Sequence, residues 1–421
     1  MLYMAQHTNQ HSKITIISMF VMAFYPILAY YNVFGDQLTY ASVSVILLYI
    51  GTLMGKARKI KPLPTSYYIY WIYSALQIYL IAGISGWSDY IPGGVNLVLF
   101  TMTIYTFAVN FDEELATKYL KWVFIVSSIL FLIQFFSYYG GHKKISFFLP
   151  LGDKLTYAGL SYQQLVQLQS SSLLDDENRF SSIFTEPSHF AQYSLIVLAI
   201  EVFRDKNKSK LYTKFSLYTV VILFLIQSGA GLIGTLFIYV MKFIYLVLVT
   251  RKQKFYLALF ILIPLFIFFA NNYLNSSSGS YVSGRIQEMT DNDESQTNST
   301  FVRLYYGWYA YGDFDSSSQL LGASRNTLSP LRENGGFFNG VTTVLCTQGL
   351  IGGLLLLLFY IQCCYRTRAL SVSLALLFLL VSLIGATYLT GIMVIITTVI
   401  LTPKLKNEKN ESRISNSNSS I

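Results

Sequence analysis

The thirteen residues from Arg179 to Ala191, RFSSIFTEPSHFA, gather an arginine, a glutamate, a proline, paired hydroxyls and one of only four histidines in the chain. Glutamate and histidine are common proton carriers in catalysis. Arginine's planar fork grips phosphate through two parallel hydrogen bonds. Glu186 and His189 are three residues apart, which puts them on one face if the segment is helical. Thr185 reads as an N-cap, and Pro187 suits a first helical turn because its missing N–H has no intrahelical acceptor there. A helix beginning here would turn its positive end, a ready anion site, toward Arg179 and Glu186. The same residues would also make an ordinary capped helix start, with Glu186 complementing the dipole. Taken alone, they leave both readings open.

Two further stretches carry chemistry-bearing side chains. TFVRLYYGWYAYGDF holds Arg303, Trp308 and Asp313, and QLLGASR follows with Gly322 and Arg325; Arg285 lies upstream. An arginine-bearing aromatic patch fits a substrate surface, and equally an amphipathic segment lying on a membrane. NGVTTVLCTQGLIG, from Asn339 to Gly352, starts with a capping residue and ends in glycines that permit close helix contact. The acidic clusters Asp175, Asp176, Glu177 and Asp291, Asp293, Glu294 lack metal-ligand spacing and read as solvated loop, so no metal is expected. Cys346, Cys363 and Cys364 form no disulfide or zinc pattern.

The elements that must position these groups are hydrophobic helices. The chain has 421 residues, 53% hydrophobic and 12% charged, with a mean hydropathy of +0.47. A soluble protein carries about 25% charged residues. Apolar runs recur at 14–34, 38–55, 66–85, 91–109, 119–138, 187–203, 255–273, 339–361, 369–386 and 388–402. Runs near 20 residues match a hydrocarbon core of about 30 Å. A further run from Phe215 to Thr250 has basic clusters at both ends and is broken by QSGAG, Gln227 to Gly231. One helix cannot start and finish on the same side, so two spans with a tight turn are expected there. Lysine-rich connectors such as KARKIK (Lys56 to Lys61) and RDKNKSK (Arg204 to Lys210) then fall on one face, the cytoplasmic one by the positive-inside rule. That rule accounts for the net charge of +9 without a nucleic-acid partner.

The expectation is an all-α polytopic membrane protein of about 12 transmembrane helices. It would form one membrane domain over 1–421, with two large outer loops at 139–186 and 274–338. Both termini would be cytoplasmic, with a disordered tail at 403–421. Ionisable residues inside the spans are few: Lys242, read as snorkelling toward RKQK, and Glu201 near an inner helix end. Such dry spans speak against an ion-coupled transporter and for polar chemistry at the outer boundary.

RFSSIFTEPSHFA resembles the pattern of Wzy-type polysaccharide polymerases, of the O-antigen polymerase and ligase superfamily: an arginine, a small residue, then Glu-Pro entering a membrane helix. R-LYYGW…QLLGAS resembles that family's outer-loop pattern. Asn339 followed ten residues on by GLIG resembles its next helix, and QSGAG more loosely one of its turns. Ser182 departs from the pattern, standing where many relatives carry glycine. The resemblance implies a metal-independent glycosyltransferase of the bacterial cytoplasmic membrane, making O-antigen or capsule without a cofactor. Its substrates would be polyprenyl-pyrophosphate-linked oligosaccharides in the lipid bilayer, and its partner a chain-length regulator. The repeat-unit glycan would pass to the non-reducing end of another lipid-linked unit. Arg179, Glu186 and His189 would be catalytic. Arg179, Arg303, Arg325 and Arg285 would hold pyrophosphate, with Trp308 and Asn339 on the substrate. The ligase branch shares the donor but usually has a histidine in its second loop; none lies between Asn271 and Phe338. A lipid-linked oligosaccharide flippase is the reading from another class, and it should line its spans with basic residues.

Overall fold

The computed structural model describes residues 12–34, 38–54, 64–85, 87–141, 145–147, 180–204, 210–250, 306–323, 338–364, 374, 377 and 394–401. Among these, helices dominate: α1 (Lys13–Leu28), α2 (Tyr40–Met54), α3 (Thr65–Ser85), α4 (Trp87–Val109), α5 (Glu113–Gly141), α6 (Pro187–Phe203), α7 (Lys214–Ile226), α8 (Gly229–Thr250), two short helices α9 (Gly307–Gly312) and α10 (Ser316–Leu321), and α11 (Gly340–Cys364). A two-stranded antiparallel hairpin, β1 (Asn32–Phe34) and β2 (Leu38–Thr39), joins α1 to α2. Glu113–Gly141, Gly229–Val247 and Gly340–Gln362 are long and apolar enough to cross a membrane; α1, α2, α7 and Leu97–Val109 are shorter apolar helices. The expected spans 255–273 and 369–386 and the tail 403–421 fall wholly or mostly outside the described residues.

The helices form a continuous series of neighbours. α9 and α10 lie on α11, α11 on α3, α3 on α4, α4 on α2, α2 on α1, α1 on α5 and α5 on α6; α7 and α8 close around α6. Every residue of α6 from Phe190 to Phe203 is buried. Lipid tails are as apolar as leucine, so this helix is held by close packing and internal hydrogen bonds. Gly231 and Gly234 make the approach of α8 possible: Cβ atoms there would lie 3.1 Å from Ala191 Cβ and 2.4 Å from Leu195 Cδ1. The QSGAG break is therefore a turn and a packing seam together, with Gln227 in the left-handed conformation (φ 55°).

Two expectations are corrected at this level. The polar stretch GWSDYIPGG, expected as the connection between the runs 66–85 and 91–109, is mostly the start of α4, which begins at Trp87. Lys242 does not snorkel. It is fully buried and donates from Nζ to the Val202 carbonyl at 2.8 Å, between the rings of Phe203 and Tyr245. The negative end of α6 lies beside it and supplies the partner. Glu201, one residue earlier, is paired with Lys121 of α5 and accepts from Thr213 Oγ1 at 2.8 Å.

Candidate functional site

The chain enters α6 through a loop pinned to α5. Gln134, buried on α5, accepts from Ser182 N at 2.9 Å through Oε1 and donates to Ile145 O at 3.1 Å through Nε2. One amide thus ties together both ends of the polar segment. Phe180 is clamped against Phe131, Phe135, Tyr138 and Tyr139 of α5. Ser182 between them has φ 59°, the left-handed region where glycine is at ease. A serine tolerates it here because Oγ donates to Ser127 O at 2.6 Å.

The helix start differs in detail from the sequence reading. Glu186, in extended conformation, is the N-cap residue, and Pro187 is the first helical residue. Thr185 is not the cap: its hydroxyl lies 2.8 Å from His189 Nδ1. The cap carbonyl of Glu186 accepts from His189 N at 3.1 Å, while its side chain caps nothing. That carboxylate is exposed, and Oε2 accepts from Ser188 Oγ at 3.0 Å. Freed of structural duty, it is an anionic acceptor placed beside a helix N-terminus. His189 is half-buried, and Tyr30 at the end of α1 reaches the same Nδ1 at 2.8 Å.

One further polar group escaped the sequence reading. Gln192, one turn into α6, is 5% exposed, and its Oε1 has no hydrogen-bond partner among the described residues. A buried amide oxygen without a donor costs about 1–3 kcal/mol, so it is an acceptor with capacity to spare. A glutamine amid apolar residues at i+3 from a histidine was the available signal.

The second cluster is built on α11. Asn339 is buried and caps this helix, accepting from Thr342 N at 2.9 Å through Oδ1. Gly307 lets α9 lie against Thr342; a Cβ would be 2.3 Å from Thr342 Oγ1. Trp308 and Tyr309 project from α9, 42% and 64% exposed. At Gly349 (φ 66°, ψ −177°) α11 is broken. The carbonyls released around the break find donors elsewhere: Cys346 O from Ala323 N at 2.7 Å, Gln348 O from Tyr73 at 2.8 Å, and Thr347 O from Gln77. Irregular backbone at membrane depth needs such partners. The GLIG glycines were read as packing; Gly349 also breaks the helix.

Of the named site residues, Glu186 and His189 stand together at the start of α6. Trp308 and Asn339 belong to the α9–α11 cluster. Among the described residues, no extended helix contact joins α6 to α11. Arg179, Arg285, Arg303, Arg325 and both acidic clusters lie outside the described residues.

By helix length and composition this is a helical membrane protein, with polar side chains gathered where α6 begins. Compared with protein-family models, curated proteins and solved structures, the chain matches none.

Proposed function

We propose that the chain is a polysaccharide repeat-unit polymerase, a glycosyltransferase of the bacterial cytoplasmic membrane. It takes a glycan linked to polyprenyl pyrophosphate and passes it to the non-reducing end of a second lipid-linked unit. The inferred layout has twelve spans with both termini cytoplasmic, and loops 139–186 and 274–338 at the outer face. The observation that carries the reading is the exposed, non-capping carboxylate of Glu186 beside His189 at the N-terminus of an otherwise buried helix. Within the motif that resembles the polymerases, this provides an acid–base group at the end of a dipole suited to phosphate.

Pyrophosphate leaves readily when preorganised positive groups meet its growing charge. Arg179, next to the anchored Phe180, is first in line for that role, with Arg303, Arg325 and Arg285 supplied from the second loop. Holding two lipid-anchored reactants in one membrane supplies much of the proximity. Trp308 offers a face on which a sugar could stack. Asn339 serves the site indirectly, by starting the helix on which α9 sits.

The test is deletion of the gene with analysis of surface glycan and lipid-linked intermediates. Single-repeat glycan on the final acceptor supports polymerase. Accumulated long lipid-linked chains would mean ligase, and units stranded on the inner leaflet would mean flippase. Restoring the gene as Glu186→Ala or Arg179→Ala should leave membrane levels normal and chain extension abolished. Wild-type chain lengths in both would remove the motif from the mechanism.

A further inference from the structure

Two hydroxyls converge on one ring nitrogen at the start of α6. Tyr30 Oη and Thr185 Oγ1 each lie 2.8 Å from His189 Nδ1. The Tyr30 ring also stacks on the imidazole, with centroids 5.5 Å apart and planes 23° from parallel. Thr185 is a local neighbour, but Tyr30 comes from 159 positions upstream, delivered where α1 ends before the β1–β2 hairpin. The bond made at one imidazole nitrogen decides where the ring proton sits. A phenol is a stronger acid than an aliphatic alcohol, and it gives a hydrogen bond to an imidazole lone pair more readily than it receives one.

We propose that Tyr30 is a positioning residue that holds His189 with Nδ1 as acceptor and its proton on Nε2, making His189 a donor and Glu186 the base. The division of roles rests on the glycosyl-transfer reading; the Tyr30–His189 linkage does not. In the reaction, the acceptor hydroxyl oxygen bonds to the anomeric carbon, and its proton passes to the Glu186 carboxylate. The bond from that carbon to the pyrophosphate oxygen breaks, and its electron pair stays on the oxygen. His189 donates a hydrogen bond to that oxygen from Nε2. A base at His189 would instead need a lone pair directed at the acceptor, and Nδ1 is already occupied by the two hydroxyls.

The surroundings permit a clean measurement. Among the described residues, the ionisable groups at this end of α6 and its neighbours are Glu186 on the same turn, Tyr30 and Tyr31 after α1, and Tyr138 and Tyr139 on α5, which pack on Phe180. At their matching ends, α7 and α8 present Gln227, Ser228 and glycines.

The experiment is 15N NMR of the histidine-labelled full-length protein in lipid nanodiscs, with His189→Gln to assign the signal. In the wild type, Nδ1 should show the shift of an unprotonated, hydrogen-bonded nitrogen and Nε2 that of a protonated one. Tyr30→Phe keeps the stacked ring and removes only the hydroxyl. Losing a donor to the neutral ring's lone pair favours protonation, so the titration midpoint should rise by about half to one pH unit. Thr185→Ala should move it less. A Tyr30→Phe protein with an unchanged Nδ1 shift and midpoint overturns the proposal, as does a wild-type ring protonated at Nδ1. In chain-extension assays, Tyr30→Phe should lower kcat and displace the pH profile by the same interval, with KM for the lipid-linked unit unchanged. An unaltered kcat and pH profile in a protein that does extend chains overturns the division of roles. A wild-type protein that extends no chains sinks the polymerase reading, while the NMR result still decides the Tyr30–His189 linkage.

Discussion

Replacing Gly349 by alanine should detach the α9–α10 segment from the membrane helix it lies on. The backbone there has φ 66° and ψ −177°, a region open essentially to glycine, where another residue costs about 1–3 kcal/mol. The new Cβ would also stand 2.2 Å from the Leu320 carbonyl oxygen, 2.4 Å from its carbon and 2.6 Å from Gly322 N. These are backbone atoms and cannot rotate aside as a side-chain terminus would. Relieving such overlap in a packed site costs roughly another 1–3 kcal/mol. Together that is about 2–6 kcal/mol, concentrated on one seam. α10 is only six residues long, and among the described residues its extensive helix contact is with α11 alone, so the seam should open before the helix bundle unfolds. The sensor is the Ala323 amide, which donates to Cys346 O at 2.7 Å. Its hydrogen exchange in nanodiscs should quicken about tenfold for each ~1.4 kcal/mol lost. Gly312→Ala is the control, because a Cβ there meets nothing within 4 Å. Wild-type protection of Ala323 in Gly349→Ala, with an unchanged unfolding midpoint, would refute the reasoning.

Other expectations are equally specific. At Ser182, alanine should destabilise by about 1 kcal/mol, because it keeps the left-handed backbone and loses the bond to Ser127 O; glycine loses the same bond but relieves the strain, and should be near neutral. Equal melting temperatures for the two variants would count against this account. Lys121→Met should cost about 3–5 kcal/mol by removing the Lys121 ammonium from the buried Glu201 carboxylate, and adding Glu201→Gln should recover part of it; a double mutant less stable than the single one contradicts the pairing. Asp315 caps α10 through Ser317 and Ser318, and these hydrogen bonds hold its carboxyl down at about 2. Its ordinary value is near 4, so the depressed folded-state value makes the cap's contribution fully present above about pH 4 and lost as pH falls toward 2. Protease cleavage within 306–323 should rise over that interval in the wild type and stay flat in Asp315→Asn, which keeps a capping side chain.

Much of this architecture can be read from the order of residues, and the limits are instructive. α6 was expected over 187–203 and occupies Pro187–Phe203, because Glu-Pro marks a helix start and RDKNKSK a helix end. The QSGAG turn followed from counting basic clusters, a topological argument needing no propensity. The cap shifted by one residue, from Thr185 to Glu186, since Thr185 satisfies a histidine instead of the backbone. Tyr30 meets the same ring nitrogen, and nothing local in the sequence links two residues 159 positions apart. Lys242 was misjudged for a related reason: a lysine near a helix end ordinarily reaches for water, but here the end of another helix lies closer. The break at Gly349 was hidden because a glycine that kinks a helix and one that lets helices touch look alike in sequence. Only Tyr73, Gln77 and Ala323, from two other segments, distinguish them.

The burial of α6 on every side bears on how the protein is made. A helix that faces protein all round has no surface selected for lipid, yet it must leave the translocon before α7 and α8 exist. Its one acidic residue, Glu201, would be a liability at that moment. The counter-ion is already waiting: Lys121 belongs to α5, synthesised earlier. Lys242, which satisfies the last turn of α6, arrives two helices later and can lock a helix already in place. The order of the partners along the chain matches the order in which α6 needs them. Moving α5 to the end of the chain by circular permutation would preserve every contact of the finished bundle. It would still send Glu201 into the bilayer alone, and the cost would fall on insertion yield instead of final stability.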